Sequence, residues 1–342
     1  MNEPLDPIEQ SAELQETPID NTPTINPEIQ EIGKGVADIR REISRFIIGQ
    51  DDQINYLIAA LLVKGHVLLE GVPGIAKTYL ARIFAKTIDS GFSRIQFTPD
   101  LMPGDILGTN IFNMKTSEFS FKKGPVFSNL ILIDEINRAP AKTQAALFEV
   151  MQEQQITMDG ITYPMAQPFI VIATQNPIEQ EGTYKLPEAQ MDRFMYRVKM
   201  SYPGLEEEIQ ILNRFKEDFE QKIMLDIQPV LNPAKIESFR KTIEKVLIKD
   251  ELVAYIARIV NDTRHHKDLY LGASTRASLG ILKTAKALAA MDERNYVIPE
   301  DIQLATYPVL NHRIILTPER EMEGISPEDV IKEMIAQIEI PR

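Results

Sequence analysis

The spacing of apolar residues changes once along the chain, and this change divides the chain into two parts. From His66 to about Gly204, short apolar runs alternate with stretches in which apolar residues recur every three or four positions. The runs include HVLLEG, LILIDE and PFIVIATQNP, and they predict strands that are buried on both faces. Strands that alternate with helices predict an α/β fold, a doubly wound parallel sheet with ligands at the carboxyl ends of its strands.

After Gly204 the strand patterns end and helical spacing takes over. The stretches with this spacing are 206–219, 236–246, 251–261, 275–289 and 300–309. They predict a smaller all-α domain behind the α/β part. We therefore expect an α/β domain at residues 31–205 and a helical domain at residues 206–342.

Two segments of the α/β part have alternating residues around a turn. The first is FNMKTSEFSFKKGPVF, whose turn falls at residues 115–118. The second is QITMDGITYP, where Asp159-Gly160 is a favoured two-residue turn. Both segments predict β-hairpins that lie beside the main sheet.

The net charge of −13 is concentrated at the N-terminus. Residues 1–32 contain eight acidic residues and no Lys or Arg, together with five prolines. This composition predicts a disordered acidic tail at residues 1–30, which either solubilises the chain or docks to a basic partner. The rest of the chain has a net charge of only about −5, which argues against tight nucleic-acid binding.

The composition excludes further classes of protein. The chain has no cysteine, so disulfides and thiolate metal sites are excluded. It also has no apolar run of 18 residues, and its N-terminus lacks the pattern of a secretory signal. We therefore expect a cytoplasmic protein without membrane insertion.

A phosphate-binding loop is indicated where the first apolar run meets a helical stretch, at GVPGIAKT, residues 71–78. In such a loop the backbone N–H groups surround phosphates, a lysine (here Lys77) neutralises terminal phosphate charge, and a hydroxyl (here Thr78) ligates Mg²⁺. Ala76 stands where glycine is usual. We expect Ala76 in the first helical turn, at negative φ, where a methyl group costs little. A tight strand–helix turn with an incidental lysine is the alternative.

Polar residues that end the next apolar runs suggest hydrolysis. Asp134 and Glu135 end LILIDE, where the aspartate can hold Mg²⁺ through water and the glutamate can polarise the attacking water. Asn176 ends the following run and can hold the attacking water or the γ-phosphate without adding charge. Solvated acids and an ordinary Asn-Pro turn are the alternatives for these positions.

Two arginines are candidates for stabilising charge on the γ-phosphate. Arg193 lies in EAQMDRF and Arg276 in GASTRASL. Lone arginines are mostly surface residues, so chemistry alone does not decide their role.

The order of these segments resembles the MoxR family of AAA+ ATPases. The resemblance rests on GVPGIAKT, LIDEINRAPAKTQAALFEVMQE, FIVIATQNPIEQEGTYKLPEAQMDRF and GASTRASL, and it covers about residues 32–342. It implies an AAA+ core with helix-2 and pre-sensor-1 hairpin insertions, followed by a helical lid. It also implies that ATP and Mg²⁺ are the cofactors, and that ATP lies between the core and the lid.

The resemblance implies a role for each candidate residue. Glu135 belongs to Walker B, Asn176 is sensor 1, Arg193 is the arginine finger given to a neighbouring subunit, and Arg276 is the lid arginine called sensor 2. Thr78 and Asp134 would hold the metal. The residues implied to bind nucleotide are Ile47, Ile48 and Gly49 near adenine, and Gly71, Val72, Pro73, Gly74, Ile75, Ala76, Lys77, Thr78 and Tyr79 in Walker A.

The resemblance further implies an assembly and a task. Members form homo-oligomeric rings, which are hexamers in the expected case, and remodel client proteins or insert cofactors and metals. Their usual partners contain von Willebrand factor A domains. Three other functions stay open at this stage: a chelatase motor subunit, a nucleic-acid-remodelling motor, and a nucleotide-gated adaptor.

Overall fold

The computed structural model describes residues 26–115, 117–177, 183–184, 186–216 and 227–341. The predicted acidic tail lies outside the described residues up to residue 25. The strands in chain order are β1 (Val67–Glu70), β2 (Phe92–Gln96), β3 (Gly108–Asn113), β4 (Glu118–Lys123), β5 (Leu130–Asp134), β6 (Gln155–Met158), β7 (Ile161–Pro164), β8 (Ile170–Gln175), β9 (Tyr196–Lys199), β10 (Leu269–Leu271) and β11 (Ile315–Leu316).

Helices flank these strands and dominate the second half of the chain. They are α1 (Pro27–Ser44), α2 (Asp51–Val63), α3 (Lys77–Lys86), α4 (Pro103–Leu107), α5 (Ala141–Glu153), α6 (Glu188–Met191), α7 (Leu205–Phe215), α8 (Pro233–Glu244), α9 (Asp250–Thr263), α10 (Thr275–Met291), α11 (Pro299–Leu310), α12 (Pro318–Met322) and α13 (Pro327–Gln337).

The central sheet is parallel and has the strand order β2–β5–β8–β1–β9. Successive residues of β5 point to opposite faces: Leu130 and Leu132 join one apolar cluster, whereas Ile131 and Ile133 join another. Both faces of the sheet are therefore covered, as the uninterrupted apolar runs predict. The predicted α/β fold with a doubly wound sheet is confirmed.

Helix α1 begins earlier than composition predicts. The side chain of Asn26 accepts a hydrogen bond from the N–H of Glu28, and Pro27 takes the first helical position, where its missing N–H is not needed. Ile29 is already buried. Residues 27–30, which we assigned to the tail, are therefore part of a helix that packs on the core, because a proline and an acidic residue also suit a helix start.

The two predicted hairpins are present, and they contact each other. They are formed by β3 with β4 and by β6 with β7, where Asp159 and Gly160 both have positive φ in the turn. The rings of Phe121 and Tyr163 lie 4.8 Å apart across the two hairpins. Phe119 stays 73% exposed near the end of its hairpin. Phe119 and Phe121 share a face of β4, so this face is packed at Phe121 and open to solvent at Phe119, next to the hairpin turn.

The helical part contains one element that the periodicity does not predict. Strands β10 and β11 pair antiparallel, but they have only three and two residues and are too short to show a period. The helices of this part share one apolar cluster with α1, α2 and α3, and α10 packs directly on α1 and α2. The predicted lid is therefore joined to the N-terminal helices by a continuous core.

No helix among the described residues is both long enough and apolar enough to cross a membrane. The location of the protein in the cell stays a prediction.

Candidate nucleotide-binding site

The loop between β1 and α3 has the geometry of a phosphate-binding loop. Gly74 and Ala76 both have positive φ, at 84° and 63°. Residues in this conformation turn successive backbone N–H groups toward one point, which makes a concave site for anions. Helix α3 begins directly afterwards and adds its positive end.

The prediction that Ala76 lies in the first helical turn at negative φ is wrong. Ala76 precedes the helix in the left-handed region, with φ 63° and ψ 23°. The loop needs this conformation to aim its N–H groups, and an alanine adopts it against a steric penalty of about 1–2 kcal/mol. Glycine is usual at this position because it escapes that penalty.

Ala76→Gly is expected to stabilise the protein by about 0.5 kcal/mol, because relief of the strain exceeds the entropy that glycine adds to the unfolded chain. Urea unfolding measures the change. Ala37→Gly, at an exposed position inside α1, is the matched control and should destabilise by about 1 kcal/mol. Equal destabilisation by both changes would show that Ala76 is not strained.

The ammonium group of Lys77 folds back over the loop. It donates hydrogen bonds to the carbonyl oxygens of Gly71 and Val72, the latter at 2.7 Å. These carbonyls hold the cation at the centre of the loop. A terminal phosphate bound there would meet the positive charge that it needs.

Thr78 and Asp134 come together as the motif order predicts. Thr78 Oγ1 donates to Asp134 Oδ1 at 2.7 Å, and Asp134 is only 3% exposed. This hydroxyl and carboxylate are hard oxygen donors, which fit Mg²⁺ held mainly by phosphate and water. The described residues contain no cluster of three or more His, Cys, Asp or Glu that could hold a metal by itself. The donor set therefore fits a metal that arrives with a nucleotide.

Glu135 has an unusual backbone conformation directly after β5. Its φ is +56°, and its N–H donates to Thr174 Oγ1 at 3.0 Å. Its carboxylate accepts hydrogen bonds from Gln96 at 2.8 Å and from Arg138 at 2.9 Å. A strained residue at the end of a central strand is typical of functional sites, because the strain aims the side chain.

Sequence reasoning missed two residues of the edge strand β2. Arg94 Nε donates to Asp134 Oδ2 at 2.6 Å, so a fixed positive charge lies on the carboxylate that would hold the metal. The neutral amide of Gln96 donates a hydrogen bond to Oε2 of Glu135 at 2.8 Å. The two residues are spaced by two along β2 and therefore share a face. Polar residues at alternate positions before the end of a predicted strand were the signal that could have found them.

These side chains line one cavity of about 460 Å³ at the carboxyl ends of the strands. Asn176, which is buried and follows β8, lines it together with Lys77, Thr78, Asp134 and Glu135. Pro73, Gly74, Ala76 and Tyr79 line it from the loop. The structure therefore brings together the residues predicted to act on phosphate and metal.

A second cavity of about 390 Å³ adjoins the loop and is mainly apolar. Ile47 and Ile48 line it, as do Ile75 and Tyr79. Partial burial raises the pKa of Tyr79, although nearby arginines oppose the shift, so its phenol stays protonated at neutral pH. Because the cavity shares Gly74, Ala76 and Tyr79 with the phosphate cavity, the two form one continuous site.

Gly49 does not line either cavity among the described residues, although the resemblance implies a contact with nucleotide. Its φ is +73°, and a Cβ atom there would lie 2.3 Å from the carboxyl carbon of Glu207. Glu207 accepts a hydrogen bond from Gly204 at the start of α7. The positive φ favours glycine at this position, whereas the end of the flexible Glu207 side chain could move away from a Cβ atom.

Arg193 and Arg276 lie elsewhere. Arg193 donates to the carbonyl of Phe148 at 3.0 Å, and Arg276 donates to Asp192 at 2.7 Å. Both line a separate cavity of about 150 Å³ with basic neighbours, and neither is among the described residues that line the nucleotide cavities. The role of Arg276 as sensor 2 stays a prediction, because in this structure its side chain pairs with Asp192 and does not line the phosphate cavity.

A buried arginine next to this pair was also missed. Arg313 donates to the carboxylate of Asp192 at 2.6 Å and to the backbone carbonyls of Asp192, Phe194, Met195 and Val309. Burial lowers the pKa of Arg313, and the carboxylate of Asp192 opposes the shift. No sequence motif identifies such a residue. Its buried hydrogen bonds in the structure show that it connects the segment of Arg193 to the lid.

Comparisons with known proteins agree with this architecture. A family model described as "ATPase family associated with various cellular activities (AAA)" matches residues 66–196, and an AAA lid domain model matches residues 261–334. The chain is similar to chaperone MoxR1 of Mycobacterium tuberculosis, with 44% identity over 310 residues, which are 88% of this chain and 81% of the relative.

Two further relatives match nearly the whole chain. The uncharacterised protein YeaC of Bacillus subtilis is 43% identical over 310 residues, which are 91% of this chain and 95% of YeaC. The crystal structure of a candidate ATPase from Cytophaga hutchinsonii matches with a TM-score of 0.84 and 43% identity, covering 92% of this chain and 97% of that one. The likeness thus extends over both halves of the chain.

Proposed function

Because the chain belongs to the MoxR family of AAA+ ATPases, we propose that it hydrolyses Mg²⁺–ATP between neighbouring copies of a ring and uses the energy to remodel a client protein. The observation that carries this proposal is the meeting of Lys77, Thr78, Asp134, Glu135 and Asn176 in one cavity beside an apolar pocket.

The residues of the site divide the work of hydrolysis. The loop N–H groups and Lys77 bind the phosphates, while Thr78 and Asp134 would hold Mg²⁺, which supplies charge neutralisation when bound. Glu135 accepts a proton from the attacking water, and Asn176 orients that water. Gln96 and Arg138 both contact Oε2 of Glu135, and these contacts orient its carboxylate in the cavity.

The positions of the arginines support hydrolysis at a subunit interface. Arg193 and Arg276 line one surface cavity that is separate from the nucleotide site of their own chain. A guanidinium in this position can act on the γ-phosphate only in another copy. We infer that both arginines, and not Arg193 alone, are offered to the neighbouring subunit of a ring, in the expected case a hexamer.

The proposal also assigns client binding to the first hairpin and includes a partner protein. Met114 and Phe119 are strongly exposed on the first hairpin, where a client protein could be held. A protein with a von Willebrand factor A domain is the partner that family resemblance favours. A chelatase motor subunit stays the alternative task, and metal insertion with a chelatase partner would distinguish it.

Glu135→Gln is expected to keep ATP bound while turnover falls at least about 10²-fold, because the amide cannot accept the proton. Lys77→Ala should instead weaken ATP binding about 10- to 10²-fold. Titration calorimetry and phosphate release measure the two effects. Glu149→Gln, an exposed position on α5, is the matched control and should change neither.

Phosphate release at an unchanged rate by Glu135→Gln would remove the assigned base. A wild-type protein that binds ATP without turnover would favour a nucleotide-gated adaptor over an ATPase.

A further inference from the structure

Positive charge is concentrated around the cavity that Arg193 and Arg276 line. Five cationic side chains line this cavity, and Asp192 is the only carboxylate among the described residues that do so. The cations are Lys64, Arg193, Arg276, Lys283 and Arg313. Arg276 and Arg313 share the carboxylate of Asp192. Lys283 is exposed and forms no ion pair among the described residues, so the cavity carries more positive charge than its own carboxylate neutralises.

The positive charge continues from α10 onto α8. Lys286 of α10 donates to the carbonyl oxygen of Glu244 at 2.9 Å, so the C-terminal end of α8 lies beside α10. Lys241 and Lys245 of α8 are exposed, and neither forms an ion pair within the described part of the chain. The neighbouring carboxylates on α8 are those of Glu237 and Glu244. Together with the cavity cations, Lys241 and Lys245 form what we call the basic surface.

The start of α1 lies against the same end of α8. Thr242 Oγ1 donates to the carboxylate of Glu28 at 2.9 Å. Thr242 lies between the two exposed lysines of α8 in the sequence. Residues 1–25 precede α1, so they join the described structure next to the basic surface.

The composition and the length of residues 1–25 fit this surface. They contain six acidic residues and no Lys or Arg. The three acidic residues nearest to α1 are Glu13, Glu16 and Asp20. A chain extends by at most about 3.5 Å per residue, so Glu13 can lie up to about 45 Å from Asn26. The stretch of α10 from Lys286 to Arg276 is only about 15 Å long, so these carboxylates can reach the cavity cations.

We propose that residues 1–25 dock on the basic surface of their own chain and cover Arg193 and Arg276. The cavity offers an acidic segment five cations against one carboxylate, and such charge complementarity selects the partner of a surface. The proposed function offers the same arginines to a neighbouring copy, so residues 1–25 and that copy exclude each other. Residues 1–25 therefore hold back hydrolysis until a neighbour displaces them. This consequence rests on the proposed function, whereas the docking does not.

Carbodiimide cross-linking of the full-length protein tests the docking itself, because the reagent joins a carboxylate to a nearby lysine amine. Unlabelled and ¹⁵N-labelled protein are mixed without nucleotide, at a dilution where sedimentation shows single copies. The expected cross-links join Glu13, Glu16 or Asp20 to Lys64, Lys241, Lys245 or Lys283 within one copy. Salt at about 0.5 M should remove most of them, because it screens exposed charges.

Three results of the cross-linking would overturn the inference. Residues 1–25 could form no cross-link, or they could reach only lysines outside the basic surface, such as Lys332. Cross-links that join the two isotopes would show that the acidic segment docks on another copy and not on its own chain.

Neutral substitutions test whether docking covers the arginines. The triple variant Glu13→Gln, Glu16→Gln and Asp20→Asn should reach half-maximal ATP turnover at an about fivefold lower protein concentration, the combined effect of about three exposed ion pairs. Turnover at saturating protein concentration should not change, because the site itself is intact. An unchanged half-maximal concentration in the triple variant would overturn the inference.

Three exposed glutamates near the C-terminus supply the matched control for the change of net charge. They are substituted together as Glu319→Gln, Glu333→Gln and Glu339→Gln, and the half-maximal concentration should stay that of the wild type. An equal shift in this control would assign the effect to net charge and overturn the inference. A wild-type protein without ATP turnover at any concentration would contradict the proposed function, and the cross-links would then decide the docking alone.

Discussion

Arg193→Ala is expected to lower ATP turnover about 10³-fold while leaving the affinity for ATP unchanged. An arginine that stabilises charge on a transferring phosphoryl group contributes on the order of 10³–10⁵ to the rate. The guanidinium lies outside the nucleotide cavities of its own chain, where it contacts Phe148. Binding to a single copy should therefore not depend on it. Phosphate release and titration calorimetry measure the two quantities.

Mixing two inactive variants tests whether Arg193 acts on another copy. Arg193→Ala retains an intact nucleotide site, whereas Lys77→Ala retains an intact arginine. Mixed rings should recover part of the turnover, because some interfaces pair the two intact halves. Arg41→Ala, which removes an arginine that is 72% exposed on α1, serves as the control and should keep full activity. No recovery in mixtures that demonstrably assemble would contradict the trans assignment.

Arg313→Met is expected to lower the free energy of unfolding by about 3–5 kcal/mol. The change leaves the carboxylate of Asp192 without its buried partner and removes donors from four backbone carbonyls. The loss comes mainly from these carbonyls, each of which loses a hydrogen-bond donor, because Asp192 is 25% exposed and keeps its ion pair with Arg276. Urea unfolding, followed by circular dichroism, measures the loss.

Arg276→Met supplies a matched comparison, because Arg276 pairs with the same carboxylate but is 53% exposed. Its loss should change the free energy of unfolding by less than about 1 kcal/mol. If both variants unfold at the same urea concentration, Arg313 is not the buried link between the lid and the segment of Arg193.

The sequence could predict features that depend on local pattern and on chain order. Continuous apolar runs require strands covered on both faces, and parallel strands end at one edge of the sheet, so Asp134 and Asn176 had to lie near each other. The turn at Asp159 and Gly160 could be predicted because these residues tolerate positive φ. The fold class follows from the same reasoning.

Other features depend on contacts that no local pattern records. Ala76 was misjudged because its conformation is set by the convergence of the loop N–H groups, not by the propensity of alanine. The position of Arg276 depends on which side of the sheet the lid packs, and sequence spacing does not determine this. Arg94 and Arg313 were missed because a single arginine in a strand or after a helix does not differ from a surface residue until its partner is known.

The core shared by α1, α2 and the lid helices makes part of the subunit a stiff body. The segment between α1 and α2 forms a wall of the apolar cavity, and α10 packs on both helices. Helix α10 runs for 17 residues, about 25 Å, and Arg276 lies at its start. A nucleotide base that displaces this wall of the cavity should therefore move α10 and, with it, Arg276 at the N-terminal end of α10. Nucleotide binding to one copy would thus change the position of the arginine offered to the next copy, and neither copy would need an internal hinge.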